Sequence, residues 1–318
     1  MPKTVLLTAP YMKPFVEKFR PVFDHYQLDL VVPEVEERME EEDIQKFAGQ
    51  FDGVICGDDQ YTQKAIEACL PRLKVISKWG TGIDSIDKEF AETQGVLVGN
   101  TLNAFTQPVA DTVLGYILAF ARRQPWMDKD VKKGKWVKIS GHALNESTLG
   151  VIGVGNIGKA VIRRAKAFGM EIHYHNRSKL SSDLEDGAIY HKNLKELFAQ
   201  SEFLSINCPA TPETTKIINK DTLGYLKKNT VVANAARGDV VDDDAMVEAL
   251  KNGTVFAYGL DVYNGEPKIH PEYLKLKNIF LLPHLGSATK RTRWDMAYRA
   301  TKNLEDFFLN KKPQDLIN

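Results

Sequence analysis

A glycine pattern near the middle of the chain constrains its fold more than any other feature. Residues 153–158 read Gly-Val-Gly-Asn-Ile-Gly, and they follow an apolar run that begins at Thr148. The residues from Ile157 to Phe168 have the apolar spacing of an amphipathic helix. Three glycines at this spacing, after a strand and at the start of a helix, indicate a dinucleotide-binding βαβ unit.

Each position of the pattern has a physical reason. Gly153 permits a tight turn, Gly155 lets the backbone approach a pyrophosphate, and Gly158 lets the helix pack closely on the strand. Asn156 and Ile157 open the helix, whose amino end attracts phosphate groups. We therefore expect these five residues to bind a dinucleotide. The alternative is a glycine-rich turn in a sheet that binds no nucleotide.

The end of the second strand predicts which dinucleotide is bound. An NAD site usually places a carboxylate about 20 residues after the glycines, where it holds the ribose hydroxyls. Here the strand at 171–175 is followed by Asn176, Arg177 and Ser178, so the segment offers a cation and hydrogen-bond donors. This chemistry suits the 2′-phosphate of NADP. NADP(H) is favoured and NAD(H) stays possible, because Arg177 could also be a solvated surface charge.

Short β-branched runs alternate with amphipathic segments along the whole chain, which predicts parallel sheets with helices on both faces. We expect an α/β fold of two doubly wound parallel-sheet domains of Rossmann or flavodoxin type, the first of them discontinuous. Strands are predicted at 5–9, 53–56, 73–77, 148–153, 171–175, 203–207, 230–234, 256–261 and 279–283. Helices are predicted at 13–25, 62–70, 87–94, 106–123, 157–168 and 288–309, and residues 124–147 show no sustained period.

Length and charge exclude several classes of protein. The 318 residues suggest two domains. Lys plus Arg and Asp plus Glu both number 42, so no basic excess supports general nucleic-acid binding. The longest apolar stretch, 113–121, is too short to span a membrane, and Pro10, Lys13 and Pro14 interrupt any signal peptide.

Cys56, Cys69 and Cys208 form no C-x-x-C pair, so we expect free thiols in the cytoplasm. His173 and His175 have no further ligands at suitable spacing, so no metal site is expected.

Three polar segments follow predicted strands in the second half of the chain. They are Asn234-Ala-Ala-Arg237-Gly238, then Asp261 with Glu266-Pro267, and then Pro283-His284-Leu-Gly286. Parallel sheets present their ligand sites at the carboxyl ends of strands. We expect these segments to carry the chemistry.

Taken in this order with the glycine pattern, the motifs resemble those of the D-isomer-specific 2-hydroxyacid dehydrogenases over nearly the whole chain. The resemblance implies a substrate-binding domain at 1–103 plus 286–318 and a dinucleotide-binding domain at 104–285, with the site between them. It also implies that residues 124–147, with Trp126 and Trp136, form a dimerisation arm, so a homodimer is expected. The alternative for the two tryptophans is packing on their own domain.

The resemblance also implies roles for single residues. Arg237 would bind the substrate carboxylate and carbonyl, and Glu266 and His284 would form the acid/base pair. Lys78, Thr81 and Gly82 lie in the segment that looks like the substrate loop of the family. Cofactor contacts on the adenosine side would come from Cys208, Pro209 and Thr214. Ala235, after a strand, would also contact the cofactor, and Asp261 would be a partner of the nicotinamide.

Elementary chemistry supports the catalytic set independently. Reduction of a 2-oxo acid places a hydride on C2 and builds negative charge on its oxygen. An arginine orients the carboxylate through two parallel hydrogen bonds, and a histidine can deliver the proton. A neighbouring carboxylate favours the charged imidazolium. Each residue alone could be structural, but together they predict a dehydrogenase.

The substrate is less constrained than the reaction. Asp58 and Asp59 follow a first-domain strand and would repel a substrate phosphate, so glyoxylate or hydroxypyruvate is favoured as the 2-oxo acid. D-3-phosphoglycerate or another 2-hydroxy acid is the alternative. A rival of another class is an NAD(H)-responsive scaffold like the C-terminal-binding corepressors, and a Rossmann methyltransferase is disfavoured by the Arg, Glu and His set.

Overall fold

The computed structural model describes residues 3–318. Residues 1 and 2, which open the first predicted domain, lie outside this range. The chain forms two compact units. One runs up to Ala104 and resumes at Ala288–Asn318, and the other is Phe105–Ser287. Each unit is built on a parallel β-sheet, which confirms the predicted α/β fold class.

Twelve strands are present in the described part of the chain, and all their pairings are parallel. In chain order they are β1 Lys3–Leu7, β2 Leu28–Val31, β3 Gly53–Cys56, β4 Val75–Lys78, β5 Leu97–Gly99, β6 Thr148–Ile152, β7 Glu171–His175, β8 Ile189–Tyr190, β9 Phe203–Ile206, β10 Thr230–Asn234, β11 Val255–Leu260 and β12 Ile279–Leu281.

Twelve α-helices connect and cover these strands over residues 3–318. They are α1 Val16–His25, α2 Glu41–Gln45, α3 Gln63–Cys69, α4 Lys88–Thr93, α5 Thr106–Ala121, α6 Gln124–Val131, α7 Asn156–Ala167, α8 Ser182–Glu185, α9 Leu194–Gln200, α10 Lys220–Leu223, α11 Asp243–Asn252 and α12 Lys290–Phe308.

The first unit holds a five-stranded sheet in the order β2-β1-β3-β4-β5. Strands β3 and β4 are buried along their whole length, as expected for strands covered on both faces. Helix α12 belongs to this unit and packs on β4. The Ser77 hydroxyl donates to the Ala300 carbonyl at 2.8 Å, and the Asn303 amide donates to the Asn100 carbonyl at 3.1 Å. The last helix of the chain therefore completes the core of the first unit.

The second unit holds a seven-stranded sheet in the order β12-β11-β10-β9-β6-β7-β8. Strand order reverses between β6 and β9, which creates the crevice where doubly wound sheets bind ligands. Helix α5 packs against this sheet, and its Tyr116 ring lies on Gly259 so closely that a Cβ at that position would overlap the ring. The sheet therefore fixes α5, and it aligns the ends of β6, β7, β10 and β11 along one edge.

The stretch 124–147, expected to be irregular, is partly regular. Residues Gln124–Val131 form α6, whose second residue is Pro125, a proline position that suits the first turn of a helix. The Trp126 indole donates to the Lys277 carbonyl at 3.2 Å and packs against the rings of Phe120 and Phe256. Trp126 therefore packs on its own unit. Residues 132–143 form neither helix nor strand and are exposed.

Two boundaries also differ from expectation for local reasons. Strand β1 ends at Leu7 instead of residue 9, because the Thr8 and Ala9 amides both donate to the Ile55 carbonyl and the chain leaves the ladder. The long helix ends at Ala121, and Arg123 takes a left-handed backbone with φ +58° before α6 begins. Within residues 3–318, no helix is both long and apolar enough to cross a bilayer.

A pair of histidines closes the β7–β8 edge of the second sheet. His173 Nδ1 lies 2.8 Å from His191 Nε2, so the two rings share one hydrogen, and His173 Nε2 lies 2.9 Å from the Glu171 carboxylate. The His191 side chain is only 14% exposed. Burial, and then the neighbouring His173, lower the pKa of His191, whereas Glu196 at 3.9 Å opposes that shift.

We expect this pair to make the protein less stable as the pH falls. A histidine whose pKa is lowered by folding binds fewer protons in the folded state than in the unfolded chain, where its pKa is about 6.5. Stability is therefore lost as the pH drops below about 7. Melting temperatures measured at pH 7.5 and 5.5 should differ more for the wild type than for His191→Gln. Equal differences in the two proteins would contradict the assignment.

Candidate active site

The glycine loop between β6 and α7 has room for a phosphate. Gly153 has φ +83°, and a Cβ there would lie 2.8 Å from the Cys208 backbone nitrogen. A Cβ on Gly158 would overlap the Gly153 carbonyl. A Cβ on Gly155 would meet nothing within 4 Å. The first and third glycines are therefore required by packing, whereas the second borders open space, as a backbone that approaches a pyrophosphate should.

The loop after β7 continues this edge. Asn176 Oδ1 accepts from the Val154 amide at 3.4 Å, and its Nδ2 donates to the Ser178 carbonyl at 3.2 Å. The Asn176 side chain therefore ties the loop to the glycine turn. Arg177 and Ser178 are exposed at the carboxyl end of β7. No carboxylate lies among residues 176–178, so the local chemistry is that of a cation and a hydroxyl.

A second loop meets the glycine turn. Cys208 follows β9, is buried, and lies against Gly153. Burial raises the pKa of its thiol to about 11, so the thiol stays neutral. The Thr214 hydroxyl donates to the Pro209 carbonyl at 2.6 Å and accepts from the Thr211 amide at 2.8 Å. The predicted cofactor residues Cys208, Pro209 and Thr214 therefore belong to one fixed loop beside the glycines.

The turn after β10 is held by an asparagine. Asn234 is fully buried, accepts from the Ala236 amide at 3.0 Å and donates to the Arg237 carbonyl at 2.9 Å. Arg237 Nη1 donates to the Ala236 carbonyl at 2.7 Å, and Ala235 is half-buried at the end of the strand. This asparagine thus sets the position from which the Arg237 side chain starts.

Glu266 and His284 are in direct contact. His284 Nδ1 lies 2.7 Å from Glu266 Oε2, and Glu266 Oε1 accepts from the Tyr263 amide at 2.7 Å. The carboxylate therefore accepts the Nδ1 hydrogen, and this contact sets the orientation of the imidazole ring. His284 is 39% exposed and takes a left-handed backbone with φ +49°, a strained region for a residue other than glycine.

A buried carboxylate fixes the loop that carries His284. Asp261 is 2% exposed, and its two oxygens accept from the Leu285 amide at 2.8 Å and the Gly286 amide at 2.7 Å. Burial raises the pKa of Asp261, and the two amide hydrogen bonds oppose that rise. A Cβ on Gly286 would lie 2.8 Å from Asp261 Oδ2. The structure thus gives Asp261 a positioning task, and its expected contact with a nicotinamide stays a prediction.

The other expected substrate residues lie in the first unit, at the last residue of β4 and in the loop that follows it. The Thr81 hydroxyl donates to the Thr101 carbonyl at 3.0 Å, and Gly82 follows it in the same loop. The Lys78 ammonium is buried and donates to the Gly57 carbonyl and the Asp58 carboxylate. Asp59 is buried and accepts from the Thr8 hydroxyl and the Met39 amide. The two aspartates would therefore repel a substrate phosphate less than expected, because Asp58 is paired with Lys78 and Asp59 is enclosed.

The second unit therefore joins the predicted residues into two groups along one sheet edge. The first contains the glycine loop and the residues after β7 and β9, and the second contains Arg237, Asp261, Glu266 and His284. Sequence reasoning did not assign roles to Asn234 and Tyr263, which hold the second group through backbone hydrogen bonds. The sequence signal for these roles is that Asn234 and Tyr263 each lie three residues before a candidate site residue, Arg237 and Glu266. Among residues 3–318, no cluster of three or more His, Cys, Asp or Glu side chains could hold a metal ion.

Comparisons with known proteins place the chain in a family. The family model for the NAD-binding domain of D-isomer-specific 2-hydroxyacid dehydrogenases matches residues 114–286. The chain is 38% identical over 257 residues to the glyoxylate reductase of Thermococcus litoralis, with 78% of each chain covered.

Two solved structures show the same fold along the whole chain. One is a glyoxylate reductase from Paecilomyes thermophila, with a TM-score of 0.87, 31% identity and coverage of 99% of this chain and 98% of the other. The other is an NADPH-dependent glyoxylate/hydroxypyruvate reductase from Sinorhizobium meliloti in complex with NADP and malonate. It has a TM-score of 0.86, 28% identity and coverage of 100% and 97%. With the matched family model and these relatives, this chain belongs to the D-isomer-specific 2-hydroxyacid dehydrogenases, oxidoreductases that use a nicotinamide cofactor.

Proposed function

We propose that the protein reduces a small 2-oxo acid, glyoxylate or hydroxypyruvate, to the D-2-hydroxy acid with NADPH, and that His284 donates the proton. The observation that carries this proposal is the 2.7 Å contact between His284 Nδ1 and Glu266. Because the carboxylate holds the Nδ1 hydrogen and stabilises the imidazolium, Nε2 can present an acidic hydrogen to a substrate oxygen.

A nicotinamide cofactor held by the glycine loop and by the residues after β7 and β9 would supply a hydride to C2 of the substrate. The protein has to orient the carbonyl group and supply one proton to the carbonyl oxygen. Arg237 is half-buried on a turn fixed by Asn234, and its planar guanidinium suits a carboxylate that must be held in one orientation. His284 Nε2 delivers the proton to the carbonyl oxygen as negative charge builds there. Glu266 stabilises His284 before the transfer, and Asp261 holds the loop in place.

The preference for NADPH rests on the loop after β7. Arg177 and Ser178 are exposed, and the segment carries no carboxylate that would repel a 2′-phosphate. The open space at Gly155 suits the pyrophosphate. The relative from Sinorhizobium meliloti, whose structure contains NADP, supports the same choice.

The choice of substrate rests on the relatives, since Asp58 and Asp59 do not by themselves exclude a phosphorylated substrate. The Thermococcus litoralis and Paecilomyes thermophila proteins are glyoxylate reductases, and the Sinorhizobium meliloti protein reduces glyoxylate and hydroxypyruvate. These names favour a two- or three-carbon 2-oxo acid. Lys78, Thr81 and Gly82 remain our proposal for the substrate loop, within a substrate-binding first unit.

A homodimer is the second part of the proposal. Several large apolar side chains in residues 132–143 are exposed to solvent. Exposed apolar surface is unfavourable in water, and contact with a second copy of the chain would bury it. Trp136 is 84% exposed, and Val131, Val137 and Ile139 are also exposed. Aromatic residues of this kind anchor protein interfaces.

We expect Glu266→Gln to move the alkaline limb of ketoacid reduction to lower pH. Glutamine is nearly isosteric, but it removes the negative charge that favours the imidazolium. The measurement is the rate of NADPH oxidation with hydroxypyruvate between about pH 5 and 10. His284→Gln is the comparison, and its kcat should fall at least about a hundredfold, the usual contribution of a general acid. An unmoved limb in Glu266→Gln would remove the glutamate from this role.

Arg177→Ala should weaken the binding of NADPH without weakening the binding of NADH. Loss of a charge-assisted hydrogen bond to a phosphate costs about 1.5–3 kcal/mol, so the KM for NADPH should rise about tenfold or more. Lys179→Ala is the matched control, because Lys179 is a neighbouring exposed cation 3.6 Å from the Glu185 carboxylate. The test measures the KM of both cofactors with glyoxylate and with hydroxypyruvate. Equal changes for the two cofactors would show that Arg177 does not read the 2′-phosphate.

The dimer is tested by sedimentation equilibrium. The wild type should sediment with the mass of two chains, and Trp136→Asp combined with Ile139→Asp should shift it toward one chain, because burying two new charges is unfavourable. Lys138→Asp changes charge at an exposed position of the same segment and should leave the dimer intact. A wild type that sediments as a single chain at micromolar concentration would refute the interface.

A further inference from the structure

The loop after β4, proposed above as the substrate loop, is held by two residues that follow β5. The Gly80 amide donates to the Thr101 hydroxyl at 3.1 Å, and the Gly80 carbonyl accepts from the Thr101 amide at 2.9 Å. The Thr81 hydroxyl donates to the Thr101 carbonyl at 3.0 Å, and the Thr81 carbonyl accepts from the Asn100 side-chain amide at 2.8 Å. Asn100 and Thr101 therefore fix the path of this loop.

The same four hydrogen bonds leave two successive amides of the loop open. Across residues 3–318, neither the Thr81 amide nor the Gly82 amide donates to a protein acceptor, and both residues are partly exposed. Gly80, just before them, has φ +146°, a conformation that favours glycine and turns the chain. Successive backbone N–H groups suit an anionic oxygen, and a carboxylate is the anion that a 2-oxo acid offers.

Asn100 is itself fixed through its backbone. Its amide donates to the Asp315 carbonyl at 3.1 Å, and its carbonyl accepts from the Asn303 side-chain amide of α12 at 3.1 Å. Asn100 is 4% exposed and Thr101 is fully buried. Two side chains that start from an enclosed, anchored backbone cannot follow the loop, so they restrain it.

The Asn100 side chain is unfavourable for stability alone. Its Nδ2 donates to the Thr81 carbonyl, but its Oδ1 is buried and has no hydrogen-bond partner in the described part of the chain. A buried acceptor without a donor lowers the free energy of unfolding. Turning the amide over would not help, because Oδ1 would then face the Thr81 carbonyl oxygen. The contact with Thr81 therefore explains this asparagine better than a contribution to stability does.

We propose that Asn100 and Thr101 are positioning residues that hold the Thr81 and Gly82 amides where they bind the carboxylate of a 2-oxo acid. This inference rests on the proposed function, because it takes the loop after β4 as the substrate loop. Neither residue touches the substrate. Loss of either contact weakens the carboxylate equally in the ground state and in the transition state, so KM rises while kcat is almost unchanged.

The test measures the binding of oxamate by isothermal titration calorimetry. Oxamate carries a carboxylate beside an amide carbonyl that is a poor hydride acceptor, so it reports binding without turnover. The full chain is saturated with whichever reduced nicotinamide cofactor it binds more tightly. Asn100→Ala and Thr101→Val should each weaken oxamate about three- to tenfold, the usual contribution of one hydrogen bond, and should leave cofactor affinity unchanged.

Two further variants serve as controls. Thr101→Ser keeps the hydroxyl and should bind oxamate like the wild type. Thr301→Val is the matched control for Thr101→Val, because Thr301 is buried in the same unit and its hydroxyl has no hydrogen-bond partner among residues 3–318. Its oxamate affinity should equal that of the wild type. The melting temperature of Asn100→Ala should not fall, because the change removes the unpaired Oδ1 together with the Nδ2 donor.

The KM and kcat for glyoxylate and hydroxypyruvate separate this inference from the proposed function. A wild type that binds oxamate but turns over neither acid would contradict the proposed substrates, and weaker oxamate binding in Asn100→Ala and Thr101→Val would still support the positioning role. Unchanged oxamate affinity in both variants of an active enzyme would overturn the inference and leave the proposed function in place.

Three other outcomes also overturn the positioning role. The first is an equal loss of oxamate affinity in Thr301→Val, which would show a general effect of altering this unit. The second is a parallel loss of cofactor affinity in Asn100→Ala and Thr101→Val. The third is a wild type that does not bind oxamate at millimolar concentration, because the two open amides would then hold no carboxylate.

Discussion

The arrangement of residues at the carboxyl-end edge of the second sheet depends on one buried carboxylate. Asp261 directly follows β11 and accepts hydrogen bonds from the amides of Leu285 and Gly286 just beyond β12. The cost of burying it is offset by these two donors, and its own amide donates to the Asn234 carbonyl at the end of β10. Three neighbouring strand ends are thus tied together by hydrogen bonds to or from one residue. His284, strained at φ +49°, can be held in place because the two residues that follow it are anchored.

That anchoring gives the imidazole a direction. Glu266 is itself fixed, since one oxygen accepts from the Tyr263 amide while the other meets His284 Nδ1. A carboxylate held at both oxygens cannot rotate away from the ring, so it fixes the side of the imidazole that carries the acidic hydrogen. The backbone therefore orients Glu266, and Glu266 in turn orients His284. Preorganisation of this kind lets a general acid act without reorganising as charge develops.

The sequence was sufficient for those parts of the molecule in which local pattern and chemistry coincide. Alternating apolar runs predicted the strands at 53–56, 171–175 and 230–234 with correct bounds, and the glycine spacing located the β6–α7 turn. It failed where a tertiary contact decides. The helix at 124–131 lacks a strong apolar period and depends on Trp126 packing against Phe120 and Phe256. The pairing of Lys78 with Asp58 depends on two strand ends that meet across a sheet.

The surroundings of Arg123 likewise depend on a tertiary contact that the sequence pattern does not predict. In a doubly wound sheet, ligand chemistry is expected at the carboxyl ends of strands, and charges at the amino ends are read as solvated. Arg123 lies at the amino-end edge, yet its guanidinium is 3.8 Å from the centre of the Phe256 ring, and burial lowers its pKa. Phe256 lies far from Arg123 in the sequence, and only the fold brings the two side chains together.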